Sequence, residues 1–135
     1  VNLYSLLNGI YECTCYTCDE PAEKILITPG WGFIVAASIQ DVYLFNVNCF
    51  LIRKIAKSYN IVKGCTWTDD KGFDFLAVIK DDGSLVVSEA FYLSFSEPIQ
   101  IIRGPPIVMK YCQDMNSILI VTKNKKFYSI PVPSK

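Results

Sequence analysis

The chain has 135 residues, 51% of them apolar, and 13 Lys plus Arg balance 13 Asp plus Glu. That length fits one domain, and that composition excludes intrinsic disorder and a general electrostatic grip on nucleic acid. No histidine is present, which removes the usual general base and every Ser-His or Cys-His nucleophile pair.

From the N-terminus onward, short apolar and β-branched runs alternate with Gly, Asp, Asn and Pro, the pattern of an all-β chain. The first predicted pair, residues 1–7 and 10–16, flanks Asn8-Gly9, and Asn-Gly favours a tight hairpin because both residues tolerate positive φ. The chain opens on Val1, inside this predicted strand, as expected for the tail of a longer protein. Strands are then predicted over 23–28, 33–38, 41–47 and 50–55. A second group covers 61–67, 73–80, 84–90 and 98–102, and a third covers 107–111, 117–122 and 127–132. Asp82-Gly83 and Lys123-Asn124-Lys125 mark hairpin turns. No stretch sustains the 3.6-residue apolar period of a helix, and 87–95 is expected to be a strand with a kinked end. No apolar run approaches the ~20 residues that cross a bilayer as a helix.

The predicted strands repeat. Gly32, Gly72 and Asn116 open equivalent strands, 40 and 44 residues apart. A period of about 40–45 residues with four strands in each unit is the signature of β-propeller blades. The expected fold is an all-β partial β-propeller of about three WD-repeat-like blades, each of four antiparallel strands. Residues 1–20 would form the second half of one blade, 21–58 and 59–103 two full blades, and 104–135 an incomplete last one. Each blade buries its core only against neighbours, so an open fan should leave bare apolar faces at both ends. The missing blades would come from upstream sequence, a cleaved companion segment or a second copy.

Six cysteines are present: Cys13, Cys15, Cys18, Cys49, Cys65 and Cys112. Cys15-x-x-Cys18 has the spacing of half a zinc site, but Cys49, Cys65 and Cys112 stand alone. Metal knuckle, disulfides and free thiols are all open readings; free buried thiols in a reducing compartment are expected, with no metal and no cofactor.

Three stretches carry a resemblance: Ile27-Thr28-Pro29-Gly30-Trp31-Gly32-Phe33-Ile34-Val35, Gly72-Phe73-Asp74-Phe75, and Glu89-Ala90-Phe91-Tyr92-Leu93 followed by Glu97-Pro98-Ile99. Together they resemble the C-terminal WD-repeat-like propeller of the beige, or BEACH-domain, family. The dipeptide Trp-Asp that names WD repeats is absent, and so is the BEACH domain itself. The resemblance implies a non-catalytic protein-interaction scaffold in vesicle or membrane trafficking, cytoplasmic and brought to membranes by its partners.

Candidate contact residues lie in the turns. Trp31, between two glycines, is either an exposed anchor or a lid over a blade. Asp70 belongs to one of two acidic pairs, Asp69-Asp70 and Asp81-Asp82, which read as turn chemistry before calcium or catalysis. Lys125 and Lys126, with Lys123, form a small basic tip, and Arg53, Lys54 and Lys57 a second modest patch. Tyr92 belongs to an aromatic run, 91–95, that either packs on a blade rim or faces a partner. The loops at 29–32, 69–72 and 124–126 are expected along related rims. Trp67 is expected in the core, and Asp74 as a solvent-facing or turn-bonding carboxylate. The alternative is a secreted, disulfide-containing β-sandwich or barrel that binds a ligand.

Overall fold

The computed structural model describes residues 2–4, 11–14 and 24–132. Within them the chain is built from β1 (Asn2–Tyr4), β2 (Tyr11–Thr14), β3 (Lys24–Ile27), β4 (Ile34–Ala37), β5 (Asp41–Phe45), β6 (Leu51–Ala56), β7 (Ile61–Thr68), β8 (Asp74–Lys80), β9 (Ser84–Glu89), β10 (Gln100–Ile101), β11 (Pro106–Cys112), β12 (Ser117–Thr122) and β13 (Phe127–Pro131). The antiparallel sheets are β1-β2, β3-β4-β5-β6, β7-β8-β9-β10 and β11-β12-β13. The Asn8-Gly9 turn and the Cys15-x-x-Cys18 knuckle lie outside the described residues.

β8 explains how the sheets stack. Phe75, Leu76, Ala77, Val78 and Ile79 form a continuous buried run. Strand alternation sends successive side chains to opposite faces. Phe75, Ala77 and Ile79 pack with Trp67 and Leu85, and with Met109, Ile118, Ile120 and Ile130 of the next sheet. Leu76 and Val78 pack with Val35, Ala37, Val42 and Leu44 of the preceding sheet. The middle sheet therefore has no solvent face. Trp67 lies in this core as expected, stacked on Phe75 at 5.9 Å and on Tyr111 at 4.8 Å between ring centroids.

The sheets converge along their first strands: β3 lies against β7, and β7 against β11. Gly64 permits that approach, because a Cβ there would stand 2.8 Å from Leu26 Cδ1 and 3.1 Å from the Ala77 carbonyl oxygen. Sheets stacked face to face about converging first strands are blades. The all-β partial propeller expected from the repeat is the fold that forms.

At the C-terminal end the expected bare face is found, while the side chains of β1 and β2 at the other end lie outside the described ones. On the far face of the β3–β6 sheet the central strands are buried, with Ile34, Ala36, Tyr43 and Phe45 forming a tight cluster, while Ile25 and Ile27 of β3 and Leu51 of β6 on that same face are exposed. On the far face of the β11–β13 sheet, Val108 pairs with Val121 and Val121 with Phe127. There Phe127 is 65% and Val108 41% exposed.

The cysteines depart from the expected set of free thiols. Cys65 and Cys112 are free, but Cys49 is disulfide-bonded. The β5–β6 turn gives Cys49 a positive φ of 66° and seats it beside the buried cluster on the far face of the first sheet. Its sulfur partner lies outside the described side chains.

Candidate partner cleft

Each antiparallel hairpin reverses the chain, so successive turns alternate between the two ends of the blades. The β3–β4, β7–β8 and β9–β10 connections share one end. The β12–β13 turn lies at the other. Trp31, Asp70 and Tyr92 are therefore on one rim, and Lys125 and Lys126 on the opposite one. That corrects the expectation of related rims: an odd number of reversals separates the β11–β12 turn from the β12–β13 turn. Lys125 and Lys126 sit in an exposed, Thr122-anchored turn.

The shared rim is organised by Asp74, the first residue of β8. Its Oδ2 accepts hydrogen bonds from Thr28 Oγ1 at 2.8 Å and the Trp31 amide at 2.7 Å. Its Oδ1 accepts from the Gly30 amide at 3.0 Å and from Thr68 Oγ1 at 2.6 Å. Three of these four donors belong to the β3–β4 loop of the preceding sheet. Asp74 is 3% exposed, so it is a clasp between sheets, not a solvent-facing carboxylate. Burial by itself raises its pKa, but the hydrogen bonds from Thr68, Trp31, Thr28 and Gly30 outweigh it and hold the carboxyl below its ordinary range. Gly30 is required at this point: a Cβ would lie 2.6 Å from Asp74 Oδ1 and 2.9 Å from Thr68 Oγ1.

The clasp fixes Trp31. Its amide is tied to Asp74, and its indole N–H donates to the Gly72 carbonyl at 3.0 Å. The residue is nonetheless 66% exposed. Trp31 is thus a rigid, exposed aromatic and not a closed lid. Across from it, the chain turns after β9, with the Tyr92 and Leu93 amides donating to the Glu89 carbonyl. Leu93 is buried, while Phe91 and Tyr92 face outward. The aromatic run thus divides: Leu93 packs into the blade, and Phe91 and Tyr92 are exposed on the rim.

Trp31, Phe33, Phe73, Asp74, Glu89, Phe91 and Tyr92 line a cleft of ≈ 260 Å³. Phe33 lies 6.0 Å from Phe91, and Phe91 meets Tyr92 edge-on at 5.1 Å between ring centroids. Arg53 Nε donates to the Phe91 carbonyl at 3.0 Å, and its guanidinium carbon stands 5.5 Å from the Phe91 ring centroid. A larger space of ≈ 510 Å³ runs along the converging first strands, lined by residues that include Ile25, Ile27, Gly64, Met109 and Tyr111.

Other candidates resolve locally. Asp69 Oδ1 accepts from the Lys71 and Phe73 amides, and Asp82 Oδ1 from the Ser84 amide. The acidic pairs act as turn caps, and Asp70 is exposed beside one of them. The Arg53 patch is dispersed: Lys54 lies 3.9 Å from Asp41, and Lys57 Nζ donates to the Ile39 and Tyr59 carbonyls. Among the described residues no group of three or more His, Cys, Asp or Glu side chains is placed to hold a metal ion.

Sequence reasoning named Trp31 and Tyr92 as contacts, and Phe91 only as part of the run 91–95, but not Phe33, Phe73, Asp74 or Glu89. A signal was there: every residue of the cleft falls within the three stretches that carried the family resemblance.

No family model matches the chain, and no curated protein does. Solved structures do. One is BBS1N, crystallised in complex with ARL6DN: TM-score 0.72 at 13% identity, covering 95% of this chain and 42% of that one. Another is the WD40 domain of SCAP from fission yeast, with TM-score 0.69 at 13% identity, covering 98% of this chain and 35% of that one. This chain spans less than half the length of either. At such identity the likeness is one of fold, and the fold is that of a WD40-like β-propeller segment.

Proposed function

We propose that this chain is a non-catalytic scaffold that binds protein partners through the rim carrying Trp31 and Tyr92. The observation that carries the reading is the Asp74 clasp. It spends a buried carboxylate on holding an exposed tryptophan still. A pre-ordered aromatic loses little entropy on binding, which is what an interface anchor needs. A BBS1 propeller solved with ARL6 is a fold neighbour with a bound protein, and supports the same role. In the finer form of the reading, the chain serves a beige-type trafficking protein in the cytoplasm, near membranes through its partners. What supports that is the sequence resemblance, whose three stretches converge on this cleft.

The bare face of the β11–β13 sheet supports a second element of the proposal. Val108 and Phe127 await a further blade, from elsewhere in the same protein or from a second copy, while β1 and β2 belong to the second half of a preceding blade. The test of the scaffold reading is a photo-crosslinking amino acid placed at Tyr92, with Lys125 as the opposite-rim control. A discrete crosslinked complex from Tyr92 and none from Lys125, abolished by Trp31→Ala, is the expected result. Equal labelling from both rims sinks it.

One observation favours a rival. The Cys49 disulfide points to an oxidising compartment, and hence to a secreted ligand-binding propeller; the sandwich or barrel form of that rival is removed by the fold. Counting alkylated thiols in the protein unfolded without reductant separates the two, with six required by the cytoplasmic reading.

A further inference from the structure

We infer that the cleft between the first two four-stranded sheets is a receptor for one basic side chain, a Lys ammonium or an Arg guanidinium presented by a protein partner. The inference rests on the scaffold reading and names what the rim recognises.

Size comes first. At ≈ 260 Å³ the cleft is smaller than the roughly 300–1,000 Å³ of small-molecule sites. It fits one side chain. Chemistry comes second. The lining holds five aromatic rings and two carboxyl groups, those of Asp74 and Glu89, and no Lys or Arg. Aromatic faces carry negative potential, and a cation within about 6 Å of a ring centroid is attracted to it. The same wall would repel an anion. An uncharged apolar side chain would gain nothing from that negative potential.

The molecule already demonstrates the preference. The Arg53 guanidinium carbon lies 5.5 Å from the Phe91 centroid and 6.0 Å from that of Tyr92, and Arg53 is not among the cleft's lining residues. Two of the five rings that a guest would meet, Phe91 and Tyr92, thus hold a cation in the resting protein. Asp74 accepts no further hydrogen bond, since four already occupy its oxygens. It contributes charge, remaining ionised at neutral pH, and it keeps Trp31 in place. Glu89 brings the second carboxyl to the wall.

The test is nuclear magnetic resonance on the protein, titrated with three blocked tripeptides, Gly-Lys-Gly, Gly-Arg-Gly and Gly-norleucine-Gly. Trp31 is exposed and Trp67 buried, so their two indole N–H signals report on the cleft and on the core respectively. The basic peptides are expected to move the Trp31 signal saturably and leave Trp67 unmoved, with the norleucine peptide about tenfold weaker. Tyr92→Leu, at an exposed site, and Glu89→Gln, which keeps the size of a half-buried side chain, should each weaken the basic peptides several-fold. Equal affinity for norleucine overturns the inference, as does a Trp31 signal unmoved by both basic peptides. Either failure leaves the scaffold reading to be decided separately by crosslinking at Tyr92.

Discussion

The two junctions between blades are built from the same topology and differ in chemistry. Between β7–β10 and β11–β13 the contact is dry: Trp67 lies between Phe75 and Tyr111, with nearly parallel rings. Between β3–β6 and β7–β10 the loop end is polar, clasped by Asp74. The second strands of the three sheets open on Ile34, Asp74 and Ser117. Only one of these can accept four hydrogen bonds. A single carboxylate at a repeated position thus turns one junction from a closed stack into a tied loop with an open aromatic cleft. Repetition supplies the scaffold, and the departure from repetition supplies the candidate site.

The sharpest way to break this contrast is to remove the stack. Trp67→Ala should cost about 3–5 kcal/mol, the usual range for a large aromatic deleted from a core, read by denaturant unfolding. It should leave the Trp31 indole signal in place until global unfolding.

Removing the clasp should cost less and act elsewhere. Asp74→Ala strands four donors and should destabilise by about 2–3 kcal/mol. Gly30→Ala, which drives a methyl into the carboxylate, should reproduce the same loss of the fixed Trp31 signal. An Asp74 variant that keeps that signal would refute the clasp.

Acid tests the clasp without mutation. Asp74 has a folded pKa below its unfolded value, so its ionised form contributes stability that is present above the unfolded carboxylate range. That contribution is lost as pH falls through the lower folded value. The first junction should therefore loosen below about pH 4, and Asp74→Asn should remove that part of the acid dependence. The dry junction has no such group among its stacked rings.

The smallest effects fall at the surface and at the thiols. Phe127→Ser should change the stability of the isolated chain by no more than about 0.5 kcal/mol. It should nonetheless abolish any association through the bare face, read as solution mass by light scattering. Cys65, whose thiol burial pushes up to about 12, should resist alkylation at neutral pH, while Cys112, half-buried and free, reacts first. Fast labelling at Cys65 would contradict the packing of the dry junction.

Much of this architecture was readable along the chain. Residues 73–80 announce a strand because an apolar run bounded by turn residues has no other stable use in an all-β chain, and the spacing of Gly32, Gly72 and Asn116 announces blades. Trp67 was legible as core because it sits inside such a run. Asp74 was not legible. It lies in the same run, but its donors at Thr28, Gly30 and Trp31 are 43–46 residues away, and no local pattern records a bond between sheets. Lys125 and Lys126 looked equivalent to Trp31 by loop position alone, and counting chain reversals was needed to put them at the opposite end.

The sequence by itself determined the blades: their strand period, their turns and the continuous apolar run that buries β8 on both faces. These are properties of a residue and its near neighbours, because pleat and turn geometry act over two to four positions. The tertiary structure alone decided where a carboxylate would be buried, which aromatic rings would meet across a junction, and which end face would stay open. Those depend on distances between residues far apart in the chain, and such distances exist only once the blades have stacked.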